Sequence, residues 1–187
     1  RGRAVAVLGN DCRVLGGAID AAGADKATRF LELLAARPLP LLSLVDTPGF
    51  MVGPRSEEEG AVRRMSAMFT AGAAIRGPWV AIILRKGYGL GAMAMTGGSF
   101  ARPCYMAAWP TGEIGGMGLE GAVRLGFRKE LDAVSDPAER RVLFAELVPL
   151  LSEAGKATEA ATQLEIDAVI DPADTRLVIA RALGIPG

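Results

Sequence analysis

Histidine is absent from all 187 residues. That excludes imidazole acid–base chemistry, Ser-His-Asp and Cys-His pairs and histidine-bearing metal sites, so any chemistry rests on other side chains or on the main chain. Cysteine is scarce: Cys12 and Cys104 lie too far apart to form a metal or redox pair, and both are expected as small core residues in a reducing compartment. An excess of charge is missing as well, because 21 basic and 21 acidic residues cancel. No broad field recruits nucleic acid or an anionic membrane, and any anionic ligand must be met locally. Long apolar runs are lacking too. The run from Trp79 to Leu84 stops at Arg85-Lys86, and nothing reads as a signal peptide or a membrane span. These absences point to a cytoplasmic protein that binds no nucleic acid, no membrane and no metal.

One motif invites a different reading. Leu42–Phe50, LSLVDTPGF, ends an apolar run in Asp-x-x-Gly, the arrangement by which a GTPase strand delivers a metal-linked carboxylate and a switch glycine to a γ-phosphate. Phosphate also needs a glycine-rich loop of the form G-x-x-x-x-G-K-[ST]. Of Lys26, Lys86, Lys129 and Lys156, only Lys156 follows a glycine, and Ala157 comes after it. The only asparagine, Asn10, precedes Asp11, so no guanine-reading Asn-Lys-x-Asp string exists either. The GTPase reading fails on these grounds.

Half of the residues are hydrophobic, enough for one sizeable core. Three apolar runs, Ala4–Leu8, Leu39–Val45 and Trp79–Leu84, lack strict alternation and read as strands buried on both faces. Between the first two, Asp25 to Ala36 places Ala27, Phe30, Leu31 and Leu34 at helical spacing, with Pro38 as the stop. Ser56 and Glu59 form a potential capping box for a helix running to about Ile75, closed by Gly77-Pro78. Asp136-Pro137 opens a helix through Leu151 toward Gly155. A short helix is expected over Thr158 to Glu165, a strand over Ala168 to Ile170, and a last helix after Asp171-Pro172. Strand, helix and strand alternate, so the fold class is α/β with a mainly parallel sheet. The chain opens on Arg1 directly before a strand, which reads as a cut inside a longer polypeptide.

Glycine is densest where strands end. Arg85–Met95, RKGYGLGAMAM, follows the third strand, and Ala108–Val123, AWPTGEIGGMGLEGAV, is a second glycine-dense turn. Free amides at the start of a helix are donors to a negative oxygen, and glycine lets a ligand approach the backbone. An oxyanion hole of main-chain amides suits a chain without histidine. Packing turns of the same composition are common, so the second loop matters: two such loops can wall one pocket.

VDTPGF, RKGYGLGAMAM and AWPTGEIGGMGLEGAV, in this order and spacing, resemble the C-terminal half of biotin-dependent acyl-CoA carboxyltransferases, the β subunits of acetyl-, propionyl- and methylcrotonyl-CoA carboxylases. The likeness runs from GRAVAVLGND to IDPADTR, nearly the whole chain. It implies a crotonase-like ββα spiral in which residues 1–187 form the C-terminal, biotin-binding domain, while the N-terminal acyl-CoA-binding half is absent from this chain. It also implies that the carboxyl group leaves N1′ of biotin, that the ureido anion removes the α-proton of the acyl thioester, and that the enolate attacks CO₂. The base is then biotin itself.

Alignment of the family motif without a gap to Tyr88–Met95 puts the oxyanion amides on Leu90 and Gly91. A shift of one residue puts them on Gly91 and Ala92. The resemblance places Phe50, Tyr88, Gly89, Met93, Gly115 and Gly116 around the biotin, and Met93 stands where some relatives carry an Asp or Tyr that shapes the acyl pocket. Asp46 is either part of the pocket turn or a cap, Glu113 either a pocket carboxylate or a structural acceptor, and Arg85-Lys86 either an anion guide or a solvated pair at a strand end. The implied partners are a biotin carboxyl carrier, a biotin carboxylase component, the acyl-CoA half and further copies of the chain in a dimer or hexamer. The helices over Ala61–Ile75 and Ala138–Leu151, apolar on more than one face, agree with such an assembly. A biotin-dependent decarboxylase α subunit and a noncatalytic assembly subunit are the alternatives.

The missing phosphate loop carries a direct prediction. Titration calorimetry with GTP and magnesium is expected to show no saturable heat, and micromolar binding would reinstate the GTPase reading.

Overall fold

The computed structural model describes residues 2–37 and 39–185. Its centre is a six-stranded sheet in which every pairing is parallel. The strands are β1 (Ala6–Gly9), β2 (Leu41–Thr47), β3 (Trp79–Tyr88), β4 (Tyr105–Ala108), β5 (Glu113–Gly115) and β6 (Ala168–Val169). They lie in the order β1-β2-β3-β4-β6, and β5 pairs with the far end of β3. The helices are α1 (Ala21–Ala35), α2 (Pro54–Glu58), α3 (Ala61–Ala73), α4 (Gly89–Met95), α5 (Leu119–Gly126), α6 (Arg128–Ala133), α7 (Pro137–Ala154), α8 (Ala157–Thr162) and α9 (Thr175–Ala182).

Alternate residues of β3 feed two cores. Trp79, Ala81 and Ile83 join the larger one with α1, α3, α4 and α8, whereas Val80 and Ile82 join a second core roofed by α9. Residues Trp79 to Ile83 are all fully buried, as a strand covered on both faces should be. The same expectation fails for β1, which lies at the sheet edge and leaves Val7 half exposed. A third cluster around Val123, Leu131 and Leu147 holds α5, α6 and α7 together beside the sheet. On α7, Val142 and Leu150 stay exposed, so the apolar second face expected there is present and uncovered.

Local chemistry explains where the boundaries moved. The first helix starts earlier than its apolar spacing suggested because Asp20 caps it, accepting from Gly23 N–H at 2.7 Å. Pro38, read as its stop, lies outside the described residues. The Ser56–Glu59 capping box does not form. Pro54 takes the first helical position, where its ring needs no amide partner, and Ser56 falls inside α2. Gly60 then separates α2 from α3, so two helices replace the single one expected. Helix α8 stops at Thr162, short of Glu165, because Leu164 turns left-handed with φ 61°. Cys12 and Cys104 are both exposed and free, against the expectation of core thiols. Among the described residues no helix is long and apolar enough to cross a membrane.

Trp79 anchors the larger core. Its indole N–H donates to Ser43 Oγ at 2.9 Å, and both residues are fully buried. Trp79→Phe deletes the donor, strands the Ser43 hydroxyl and opens a small void. Urea unfolding is expected to show a loss of about 1–3 kcal/mol.

Candidate active site at the start of helix α4

The two glycine loops meet because β3 changes partners. Val80–Ile83 pair with β4, but Lys86, Gly87 and Tyr88 pair with Glu113, Ile114 and Gly115 of β5. The second loop therefore arrives beside the first. Where β3 ends, Gly89 takes φ 58°, and a Cβ there would stand 2.8 Å from the Gly116 carbonyl oxygen. Only glycine fits that turn.

Helix α4 begins at this point without a side-chain cap from Tyr88. Among the described residues, the amides of Leu90 and Gly91 meet no acceptor. They keep the donor capacity of a helix start, and the exposed Leu90 side chain marks this turn as lying at the surface. Gly91 sits beneath, pressed against the turn after β2: a Cβ on it would lie 2.7 Å from the Gly49 backbone and 3.0 Å from Phe50 N. That turn is itself pinned. The buried Thr47 Oγ1 accepts from Gly49 N–H at 3.1 Å, and Ile19 bonds to either side of Phe50, its N–H donating to Gly49 O at 3.0 Å and its carbonyl accepting from Met51 N–H at 2.9 Å.

Tyr88 points inward. Its hydroxyl donates to the Glu113 carboxylate, tying the two loops together across the β3–β5 pair. Burial, reinforced by that carboxylate, holds the Tyr88 phenol well above its usual pKa. The phenol stays a neutral donor at every physiological pH. Glu113 is thereby a structural acceptor, one of the two roles its sequence position left open.

Beside the amide turn is a cavity of ≈ 560 Å³. Gly89, Met93, Gly115 and Gly116 line it, so four of the expected binding residues come together. Leu90 stands next to it in α4, whereas Tyr88 and Ala92 are buried behind the turn. Phe50 is not on this wall. Its ring packs tilted on Phe69 at 6.3 Å, on the side of the turn that carries Gly91. Other walls escaped the sequence reading: Phe100 and Ser99 from the loop after α4, Ala160 of α8, and Gln163, Leu164 and Glu165 beyond it. Only the Gly97-Gly98 pair announced the first of these segments, and no local motif marked the second.

Asp46, the other ambiguous carboxylate, caps no helix. It accepts from Lys86 N–H at 3.2 Å and from the Arg85 guanidinium at 3.2 and 3.3 Å. Arg85-Lys86 is therefore not a pair at a strand end, since β3 continues through it to Tyr88. A second cavity of ≈ 590 Å³ opens at the carboxyl end of β1, between the Asn10–Ile19 loop and α1, and none of the expected site residues line it.

The carboxyl transferase domain model matches residues 1–186. This chain belongs to that family. The chain is 38% identical over 140 residues to the methylmalonyl-CoA carboxyltransferase 12S subunit of Propionibacterium freudenreichii subsp. shermanii, covering 75% of this chain and 26% of that protein. It is 36% identical over 137 residues to the methylmalonyl-CoA decarboxylase subunit alpha of Propionigenium modestum, covering 73% of this chain and 26% of that one. Among solved structures, a single-chain, multi-domain long-chain acyl-CoA carboxylase superposes with a TM-score of 0.84 at 57% identity, over 94% of this chain and 17% of its own. The chain thus spans about a quarter of the curated relatives it matches. The crotonase-like α/β fold expected from the motifs is borne out by these neighbours.

The Tyr88–Glu113 bond generates a testable expectation. Tyr88→Phe leaves a half-buried carboxylate without its donor, so thermal or urea unfolding should show a loss of about 1–3 kcal/mol. Unchanged stability would mean that the two loops are held together by strand pairing alone.

Proposed function

We propose that the chain is the carboxyltransferase component of a biotin-dependent acyl-CoA carboxylase, moving a carboxyl group from carboxybiotin to the α-carbon of an acyl-CoA, and that it provides the biotin-side oxyanion hole. The observation that carries this is the pair of unpartnered amides on Leu90 and Gly91, at a helix start whose residues Gly89 and Met93 line a mostly apolar cavity. Preorganised amides aimed at a developing negative oxygen are worth far more there than in water, and they need no proton of their own.

The residues fit a biotin group. The bicycle is neutral, compact and mostly apolar, with one ureido oxygen as its strong acceptor. The cavity offers Met93, Phe100 and Ile114 as apolar walls and the bare backbone of Gly115 and Gly116, at the last of which a Cβ would meet nothing within 4 Å. Carboxybiotin, when bound, supplies the carboxyl group and the nitrogen that serves as base. This chain does the rest. Leu90 and Gly91 would donate to the ureido oxygen, Gly89 and Gly91 let the neighbouring backbones close on the turn, and Tyr88–Glu113 holds the two loops at a fixed spacing. The cavity exceeds what the bicycle alone would fill, which leaves room for the acyl group of the second substrate.

Acyl-CoA reaches the same centre from the N-terminal half of the family, and the carboxyl carrier and the biotin carboxylase component are the other partners. The uncovered apolar residues Val142 and Leu150 on α7 favour contact with such a partner or with a further copy. Two exposed thiols suit a reducing cytoplasm. A decarboxylase α subunit would use the same centre in the opposite direction, and the identity to the Propionigenium modestum subunit keeps that as the second reading.

The test compares Leu90→Pro with Leu90→Ala in the full-length protein, assayed for carboxyl transfer in both directions with a biotinylated carrier. Proline is tolerated in the first turn of a helix and removes the amide, whereas alanine keeps it. Leu90→Pro should lower turnover roughly a hundredfold or more, about 3 kcal/mol of transition-state stabilisation, while Leu90→Ala stays near wild type. A folded Leu90→Pro protein with wild-type turnover would defeat the assignment.

A further inference from the structure

The register of β2 against β3 breaks at one place. Val45 faces Ile83 and Thr47 faces Gly87, so the single residue Asp46 lies opposite Leu84, Arg85 and Lys86. Extra residues on one strand bend it and sharpen its twist. Here the bend has a consequence, because β3 pairs with β4 up to Ile83 and with β5 from Lys86 onward. The bulge is the point at which β3 leaves one neighbour for another, three residues before the Gly89 turn. A bulge leaves backbone groups without a ladder partner, and the Asp46 carboxylate takes one of them. It accepts the Lys86 N–H at 3.2 Å through Oδ1, and both of its oxygens receive the Arg85 guanidinium, Nε at 3.3 Å and Nη2 at 3.2 Å.

The carboxylate is itself held. Asp46 is only 8% exposed, and its own N–H donates to Asn10 Oδ1 at 3.2 Å, from the loop that follows β1. The guanidinium it grips is half exposed. A nearly buried carboxylate thus faces a backbone amide on one side and a solvent-edge cation on the other, and the strand segment Leu84–Lys86 is clasped between them.

We infer that Asp46 is a positioning residue for carboxyl transfer: its carboxylate, with Arg85, fixes the β3 bulge and so sets where the Leu90 and Gly91 amides point. It touches no reacting atom. The inference rests on the carboxyltransferase reading of the amide turn. It adds that the DTPGF segment, whose aspartate suggested a metal ligand of phosphoryl transfer, acts through the strand beside it. Misplacement of a preorganised donor by about an ångström costs on the order of a hundredfold in rate, while substrate binding through the other half of the enzyme is untouched. The expected signature is therefore a fall in kcat at constant KM.

The experiment uses the full-length enzyme and three variants: Asp46→Ala, Asp46→Asn and Arg85→Met. Each is measured for kcat and KM with acyl-CoA, and for hydrogen exchange over residues 84–91 in the absence of substrate. Asp46→Asn keeps one carbonyl oxygen for the Lys86 N–H, so its kcat should stay within about threefold of wild type. Asp46→Ala should lose roughly ten- to a hundredfold in kcat with KM unchanged, and the Lys86 amide and its neighbours should exchange faster. Arg85→Met removes only the half-exposed arm and tests the idea even where Asp46→Ala does not fold. It should lose severalfold in kcat, again at unchanged KM. Wild-type kcat in Arg85→Met together with wild-type exchange over residues 84–91 overturns the inference, as does an equal loss in Asp46→Ala and Asp46→Asn. Exchange reads the bulge without any turnover, so a wild-type protein that transfers no carboxyl group would defeat the proposed function while leaving this assignment to be decided by the exchange rates.

Discussion

Backbone pressed on backbone is the constraint from which this site is built. Gly91 lies against the Gly49–Phe50 backbone, and Gly89 lies against the Gly116 carbonyl, at separations that leave no room for a Cβ. Three chain segments, the ends of β2 and β3 and the loop after β5, are thereby brought within main-chain contact of one another. A site made of amides needs this closeness, since a peptide N–H reaches barely 3 Å and has no flexible stem to extend it. Side chains would have served as spacers and pushed the segments apart.

The sheet supplies that closeness by letting its central strand serve three partners. β3 pairs with β2 from Trp79 to Ile83 and again at Gly87, with β4 in its first half and with β5 at its end. In an open parallel sheet, ligands collect at the carboxyl ends of the strands, and the amide turn lies there. Burial of Trp79 to Ile83 on both faces makes the first half of β3 rigid. The second half is held differently: Asp46 grips the bulge, and the Tyr88–Glu113 bond ties the end of β3 to β5. Apolar packing secures the first half of β3, and hydrogen bonds to charged groups secure the half that leads into the amide turn.

Local signals were legible in the sequence where one short segment decides its own state. The three glycine-punctuated strand ends and the Asp136 and Asp171 starts were readable because a strand run or a cap is written in adjacent residues. Of the residues singled out for the candidate site, Gly89, Met93, Gly115 and Gly116 line one cavity, as two glycine-dense loops at strand ends suggested. Competition between local signals defeated the reading at Ser56, where Pro54 starts the helix sooner and Gly60 ends it. Long-range contacts were out of reach in principle. Nothing near Asp46 reveals that its acceptor oxygens meet residues 39 and 40 positions away, and nothing in the alanine-rich α8 shows that Ala160 faces Gly89 across a cavity. The exposed thiols belong to the same class, because a cysteine's burial is set by what the fold lays over it.

The absence of histidine then acquires a structural counterpart. Two carboxylates flank the amide turn, and both are committed: Glu113 accepts the Tyr88 hydroxyl, and Asp46 is occupied by Lys86 N–H and Arg85. Each of those bonds ties a carboxylate to the scaffold around the turn. The phenol of Tyr88, buried and bonded to Glu113, is held in its neutral form. At the amide turn itself the chain presents backbone dipoles, and Glu165 brings a carboxylate to the wall of the adjoining cavity. Unpartnered amides favour negative charge beside them without exchanging a proton, and that is the property on which the proposed carboxyl transfer draws.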